Sequence, residues 1–282
     1  MLVTGGSGFI GGYVLRHLAQ NGHQVTNFDM LSKPVSGVRE VIGSILDRTL
    51  MAELVKEHDA IFHFAGFANI NKVKDDPVAC LELNIMSTAY FMDAVKRTDK
   101  LFFLASSVYV HDDNGHFYTT SKLCAEKVCR NYHQLFGTGS CLLRLGTVYG
   151  EQSRHEDVIS LFVKRALQKQ PLMIHGGGTQ VRNFIHGEDV ARACGLALTR
   201  RGEDGVQTLI LAGEADVTIN DLALKVQSLI PGTVISHQPA AQRVKDYSGA
   251  IEGLTETYHA LQWRPQVGID EGVKRMIGHF RQ

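Results

Sequence analysis

The tightest constraint on this chain lies in its first eleven residues, where a short apolar run, Leu2 to Thr4, meets Gly5, Gly6, Ser7 and Gly8. An amphipathic stretch from Phe9 to Gln20 follows. Gly6, Gly8 and Gly11 satisfy the GxGxxG spacing between a predicted strand and a predicted helix. Glycines there let the backbone turn tightly and approach a pyrophosphate, whose charge then meets the free amides and positive end of the helix. A second predicted strand, Gln24 to Phe28, is closed by Asp29, eighteen residues past Gly11. A carboxylate at that point accepts the adenosine ribose hydroxyls of a dinucleotide and repels the extra phosphate of NADP, so the spacing predicts NAD. The plainer alternatives are a glycine turn without a ligand and an Asp29 that caps a turn. Lys33 and Arg39 lie downstream and could restore NADP binding, although neither directly follows the acid.

The alternation continues with a helix near Leu50 to Glu57, a strand Ala60 to Phe64, a long helix Pro77 to Arg97 and a strand Leu101 to Leu104. A helix Thr120 to Phe136 and a strand Ser140 to Leu145 complete it. Strands alternating with helices predict an α/β fold, a Rossmann-type doubly wound parallel sheet covered on both faces. After Gly150 the regularity weakens to a helix Val158 to Lys169, a glycine turn at Gly176 to Gly178, a strand-like Val181 to Ile185 and a helix Asp189 to Thr199. The expected organisation is an NAD-binding domain over 1–149 and a smaller, mainly substrate-binding α/β lobe over 150–282, with some segments returning to the first domain. No linker or fixed repeat separates the halves, which places the expected site in the cleft between them.

Composition narrows the partners. Lys plus Arg and Asp plus Glu both number 29 in 282 residues, so no basic field exists to hold a nucleic acid or an anionic membrane. The stretches Ile61 to Ile70 and Leu101 to Val110 are about half the length of a membrane helix. Glycines begin at Gly5, where a secretion signal would still be assembling. The five cysteines include no CxxC pair, which argues against a disulfide framework or zinc knuckle and for a cytoplasmic location.

Tyr118 and Lys122 are four apart at the start of a predicted helix, on one face and one turn from each other. A lysine ammonium beside a phenol favours the phenolate, and this predicts a Tyr118 pKa drawn from about 10 toward neutrality, fit to exchange a proton with a substrate hydroxyl. Ser107 follows the predicted strand Leu101 to Leu104, at the end of the sheet where such folds bind ligands. Its hydroxyl could hold the same oxygen. Outside this context YxxxK is a weak signal, read more readily as a half-buried tyrosine with a solvated lysine.

Taken together, these residues resemble the extended short-chain dehydrogenases/reductases, the group that contains nucleotide-sugar epimerases, dehydratases and reductases. The resemblance covers nearly the whole chain. It rests on Thr4, Gly5, Gly8 and Gly11; on His63-Phe64-Ala65-Gly66; on Asn84; and on Ser107, Tyr118 and Lys122. The segments Leu143-Arg144-Leu145, Val148-Tyr149-Gly150, Arg182-Asn183-Phe184-Ile185-His186 with Asp189, and Trp263-Arg264-Pro265 extend it. The resemblance implies that Gly5, Gly8, Phe9 and Ile10 cradle the NAD pyrophosphate, Asp29 the adenosine ribose and Ile45 the adenine. It implies that Phe64, Ala65 and Gly66 line the nicotinamide side, with Asn84, Tyr118 and Lys122 also at the cofactor. Ser107, Thr147 and Arg182 would hold the substrate, Arg182 by gripping its pyrophosphate; an interlobe salt bridge is the other reading of Arg182. Two helices per subunit would form a homodimer interface.

The reaction follows from what flanks Ser107. Dehydratases of this family place an Asp-Glu pair directly after the Ser or Thr, whereas here Val108 and Tyr109 follow. Asp112 and Asp113 could substitute if their loop folds inward, and beside His111 they could suggest a metal, but a hydrophilic turn explains them and no metal is expected. Epimerisation needs only one base and a redox cofactor that stays bound. The expectation is an NAD-dependent epimerase of a nucleotide-activated sugar, acting at C4 through a 4-keto intermediate. A keto-sugar reductase is the alternative, followed by a 4,6-dehydratase or a non-catalytic NAD sensor.

Overall fold

The computed structural model describes residues 1–69, 72–111, 116–153, 157–200, 205–239 and 251–282, so Asp112 and Asp113 lie outside the described residues. The first half runs β1 (Leu2–Thr4), α1 (Phe9–Gln20), β2 (Thr26–Asp29), β3 (Arg39–Ile42), α2 (Arg48–Glu57) and β4 (Ala60–His63). The long helix that follows comprises α3 (Pro77–Leu81), a π-helical turn (Glu82–Met86) and α4 (Ser87–Val95). Next come β5 (Leu101–Ser107), a 3₁₀ turn (Val108–His111), α5 (Phe117–Phe136) and β6 (Ser140–Leu145). The second half contains β7 (Thr147–Tyr149), α6 (Val158–Leu167), β8 (Leu172–His175), β9 (Val181–Arg182), β10 (Phe184–His186) and α7 (Gly187–Ala197). It continues through β11 (Val206–Leu211), β12 (Val217–Thr218), α8 (Ile219–Leu229), β13 (Ile235–Gln238), α9 (Leu254–Leu261) and α10 (Ile269–Phe280).

Seven strands form one parallel sheet in the order β11-β6-β5-β4-β1-β2-β3. The chain starts mid-sheet at β1, builds outward to β3, and crosses back to β4. The order thus reverses between β1 and β4, which opens a crevice at their carboxyl ends. β5 is the next strand, so Ser107 joins the same rim. One face of the sheet is covered by α1, α7 and α9 through Val14, Leu18, Val190 and Tyr258. The other is covered by α2, α4 and α5 through Leu54, Phe91, Met92 and Cys129. This is the doubly wound Rossmann-type fold. The helix Pro77–Val95 is long and apolar enough to cross a membrane, but Phe91, Met92 and Val95 are fully buried beneath the sheet, as in a core helix.

Several elements depart from the periodicity. β3 escapes it because Arg39-Glu40-Val41-Ile42 lies at the sheet edge and is nowhere fully buried. The apolar run from Val181 breaks at Asn183, and its pieces pair with different partners, β9 with β12 and β10 with β7. β11 extends the main sheet beyond β6, and α7 lies on α1 so closely that a Cβ at Gly187 would sit 2.4 Å from the Tyr13 ring. Around Tyr149, Phe162, Leu222 and Met276, a second core gathers α6, α8, α10 and the short strand pairs. β7 continues β6 after Gly146 and carries the chain from the sheet into this lobe.

Candidate active site

At the end of β1 the backbone turns through Gly5 in the left-handed region, φ 73°. A Cβ at Gly5 would lie 2.6 Å from the Ala65 amide nitrogen, and one at Gly11 would lie 2.3 Å from the Gly5 carbonyl oxygen. Only glycine fits either position, and the loop after β1 is thereby pressed against the loop after β4. Gly8 caps α1 without a side chain, which leaves the amides of the Phe9–Ile10 turn to an anion. Asp29 closes β2 with its carboxylate fixed by two backbone donors, Ser7 N–H at 3.1 Å and Leu31 N–H at 3.0 Å. Each oxygen keeps acceptor capacity for a ribose hydroxyl. Arg39 cannot assist a 2′-phosphate there. It stands opposite Thr26, three residues or about 10 Å along the strand from Asp29, and pairs with Glu57 at 2.7 Å.

A chain of hydrogen bonds ties β1 to β4. Ser87 Oγ donates to the Leu83 carbonyl at 2.6 Å, so it accepts from His63 Nε2 at 2.9 Å. His63 Nδ1 is then the acceptor for Thr4 Oγ1 at 2.8 Å, and Thr4 Oγ1 accepts from the Ala65 amide at 3.1 Å. Burial, followed by the nearby Lys122 charge, pushes His63 down to about 3, which keeps the imidazole neutral and the chain's polarity single. Phe64, Ala65 and Gly66, expected on the nicotinamide side, are held from behind by this chain.

Asn84, expected at the cofactor, braces the same loop from within. Its amide hydrogens go to the Phe67 carbonyl at 3.1 Å and to Ser121 Oγ at 2.8 Å, while its oxygen accepts from the Phe67 amide at 2.8 Å. Ser121 in turn donates to the Tyr118 carbonyl at 2.7 Å. The π-helical turn that carries Asn84 therefore links the nicotinamide-side loop to the backbone of Tyr118. Such turns recur at functional sites.

β5 is longer than expected and ends on Ser107 itself. The Tyr109 amide donates to Ser107 Oγ at 3.2 Å, which leaves the serine proton free to point at the Tyr118 phenol beside it. Lys122, 9% exposed, donates to the Ala105 carbonyl at 2.9 Å, its Nζ 5.9 Å from the centre of the Tyr118 ring. The three expected catalytic residues thus meet. Their resting electrostatics differ from expectation: burial pushes Tyr118 up to about 12, with Ser107 opposing and Tyr109 and Cys80 adding to the rise. Burial likewise draws Lys122 down to about 8. In the protein alone, desolvation outweighs the help that the lysine was expected to give.

Thr147 and Arg182 lie in the second lobe on adjoining segments, since Thr147 pairs with Phe184, two residues beyond Arg182. Both are half-buried. Arg182 bends one nitrogen back to the Val181 carbonyl at 2.8 Å. The Ile45 side chain packs in the core with Phe28, Met51 and Leu54, which leaves little beyond its backbone for an adenine. The exposure of Met30 and Leu31, next to Asp29 in sequence, and of Leu46, next to Ile45, was not anticipated.

Nor was a buried ion pair behind the catalytic residues. Glu126 accepts from Ser106 Oγ at 2.7 Å and from Arg144 Nε and Nη2 at 2.9 and 2.7 Å. Its position four residues after Lys122 was the available signal. Cys80, counted only as a thiol in the sequence, lies 3.6 Å from Ser121 Oγ.

The His63 chain has a measurable consequence. The unfolded chain protonates His63 near its ordinary value of 6.5, whereas the folded chain resists until about 3. The folded state then binds fewer protons, so stability is complete above about pH 6.5 and declines toward about pH 3. Chemical denaturation of a His63→Gln variant across this window is expected to show a shallower decline than wild type. Equal slopes would contradict a neutral, buried His63.

The comparisons with known proteins agree with this geometry. Residues 1–210 match the NAD dependent epimerase/dehydratase family. A UDP-N-acetyl-alpha-D-glucosaminuronate decarboxylase of Bacillus cytotoxicus is 27% identical over an alignment 318 positions long, covering 100% of this chain and 97% of that protein. A putative UDP-glucose 4-epimerase of Methanocaldococcus jannaschii is 26% identical, covering 100% of this chain and 98% of its own. Among solved structures, MoeE5 in complex with UDP-glucose and NAD is similar at a TM-score of 0.88 and 26% identity, covering 99% of this chain and 98% of that one. With its glycine loop, Asp29 and the Ser107, Tyr118 and Lys122 group along the carboxyl ends of one sheet, the chain belongs to the NAD dependent epimerase/dehydratase family and takes NAD as its cofactor.

Proposed function

We propose that this protein is an NAD-dependent epimerase of a nucleotide-activated sugar, acting at C4 through a transient 4-keto sugar. The observation that carries this reading is the acid/base arrangement at the rim of the crevice: among the described residues Tyr118 stands there with Ser107 beside it, and Val108 and Tyr109, not a carboxylate, directly follow the serine. Bound NAD would supply the hydride acceptor and a positive charge. Tyr118 would take the proton of the sugar hydroxyl, with Ser107 donating to the same oxygen. Lys122 would hold the proton balance of the phenol and reach the nicotinamide ribose. Once the keto sugar has turned in the cleft, its opposite face would take the hydride back from the reduced cofactor, and Tyr118 would return its proton to the oxygen of the inverted centre. Thr147 and Arg182 would hold the nucleotide diphosphate in the second lobe.

A second reading is favoured by the decarboxylase relative. A sugar oxidised at C4 that carries a carboxylate at C6 is a β-keto acid, which loses carbon dioxide without a further catalytic group. Such a substrate would turn the same residues into a decarboxylase. The reductase reading is weakened by Asp29 and by the remoteness of Arg39 from it. All five cysteines are free thiols, which supports a reducing compartment.

Assay of a panel of UDP-, GDP- and dTDP-sugars and their uronic acids is expected to find turnover that Tyr118→Phe lowers by about a hundredfold or more while NAD binding persists. Full activity of Tyr118→Phe would contradict the proposed chemistry. Exposed Val78, Met86, Phe117, Leu135 and Phe136 on α3, the π turn and α5 support a homodimer through these helices. Sedimentation should show a dimer that Leu135→Asp weakens; a wild-type monomer at micromolar concentration would contradict it.

A further inference from the structure

We propose that Glu126 is a positioning residue for the catalytic pair, its ion pair with Arg144 setting the height at which α5 presents Tyr118 and Lys122. The proposal rests on the reading of Tyr118 and Lys122 as the catalytic pair. Tyr118, Lys122 and Glu126 recur every four residues along one stripe of α5, successive members about 6 Å apart along its axis. The stripe faces the carboxyl ends of β5 and β6. Ser106 and Arg144 are direct partners across these two strands, and Glu126 bonds to both. One carboxylate therefore pins the helix to a single register position on two neighbouring strands.

The rest of the interface lacks this directionality. Ala125 and Cys129 bury apolar surface against the sheet, and apolar contact alone resists sliding weakly. Among the described residues, the other polar ties near the catalytic turn include Lys122 to the Ala105 carbonyl, Ser121 to Asn84 and Cys80, and Tyr118 to Ser107. The first and last use the catalytic residues themselves. Ser106 immediately precedes Ser107, so the carboxylate that fixes the helix height is referenced to the strand position that carries the substrate-facing hydroxyl. Glu126 is 1% exposed, and Arg130 approaches it only to 3.9 Å. Ion pairs this buried add little net stability compared with apolar replacements of similar volume, so what this one supplies is geometry.

Two variants separate position from stability. In Glu126→Leu combined with Arg144→Met, apolar side chains replace both charges, so folding and melting temperature should be retained while the register tie is lost. The expected result is a KM within about twofold of wild type and a kcat lower by about ten- to a hundredfold, as for a displacement near 1 Å. In NAD-loaded protein labelled with Cζ-13C tyrosine, the Tyr118 resonance, assigned with Tyr118→Phe, should titrate about one unit or more away from its wild-type midpoint. Glu126→Asp keeps the charge but shortens its reach by a methylene, and a smaller shift of the same sign is expected. A wild-type Tyr118 titration in either folded variant would overturn the proposal. If wild-type protein turns over no nucleotide sugar, the reading of function fails, yet the tyrosine titration still decides the role of Glu126.

Discussion

Thr4 and His63 face each other across β1 and β4, and the hydrogen bond between them is where the sheet and the site become one object. On one side of it the chain enters the glycine loop, where a Cβ at Gly5 would collide with Ala65. On the other it enters Phe64, Ala65 and Gly66, whose position depends on the Thr4 hydroxyl and on Asn84. Neither loop can shift without the other. Because the strand order reverses at this place, a dinucleotide laid across it would meet both loops at once, its pyrophosphate over α1 and its nicotinamide toward β5.

The electrostatics of the site follow from the same close packing. Burial shifts both groups toward their neutral forms, the phenol to about 12 and the ammonium to about 8, so that at neutral pH the tyrosine is protonated and the lysine still largely charged. The positive charge that an oxidised nicotinamide brings would favour the phenolate, so in the proposed reaction proton abstraction would be coupled to cofactor occupancy. Asp29 is held by two backbone amides, one from the glycine loop and one from its own turn, and would thereby tie recognition of a ribose to the shape of that loop. In this account, binding and chemistry share residues more than they share a pocket.

Much of this was legible because the relevant periods are short. GxGxxG followed by an acid, and a tyrosine four residues before a lysine, report geometry that one helix or one βαβ unit fixes locally. β3 was not legible because its four residues lie at the sheet edge with no fully buried side chain, and the split of the Val181 run because its two- and three-residue strands pair with segments far along the chain. The π-helical turn was equally hidden: Asn84 looks like any helical asparagine until Phe67 and Ser121 are brought to it. Tyr118 was misjudged for a related reason. The lysine was visible at spacing four, whereas the burial that outweighs it comes from segments across the fold. Glu126 was passed over because Ser106 and Arg144, distant in sequence, supply its setting only in the folded sheet.

The most direct test of the account is to identify the nucleotide released when freshly purified protein is denatured. A cofactor held by this crevice and recycled within it should appear by mass spectrometry as NAD or NADH at close to one equivalent per chain. An empty site that binds added NADPH more tightly than NADH would contradict both the role of Asp29 and the recycling chemistry built on it.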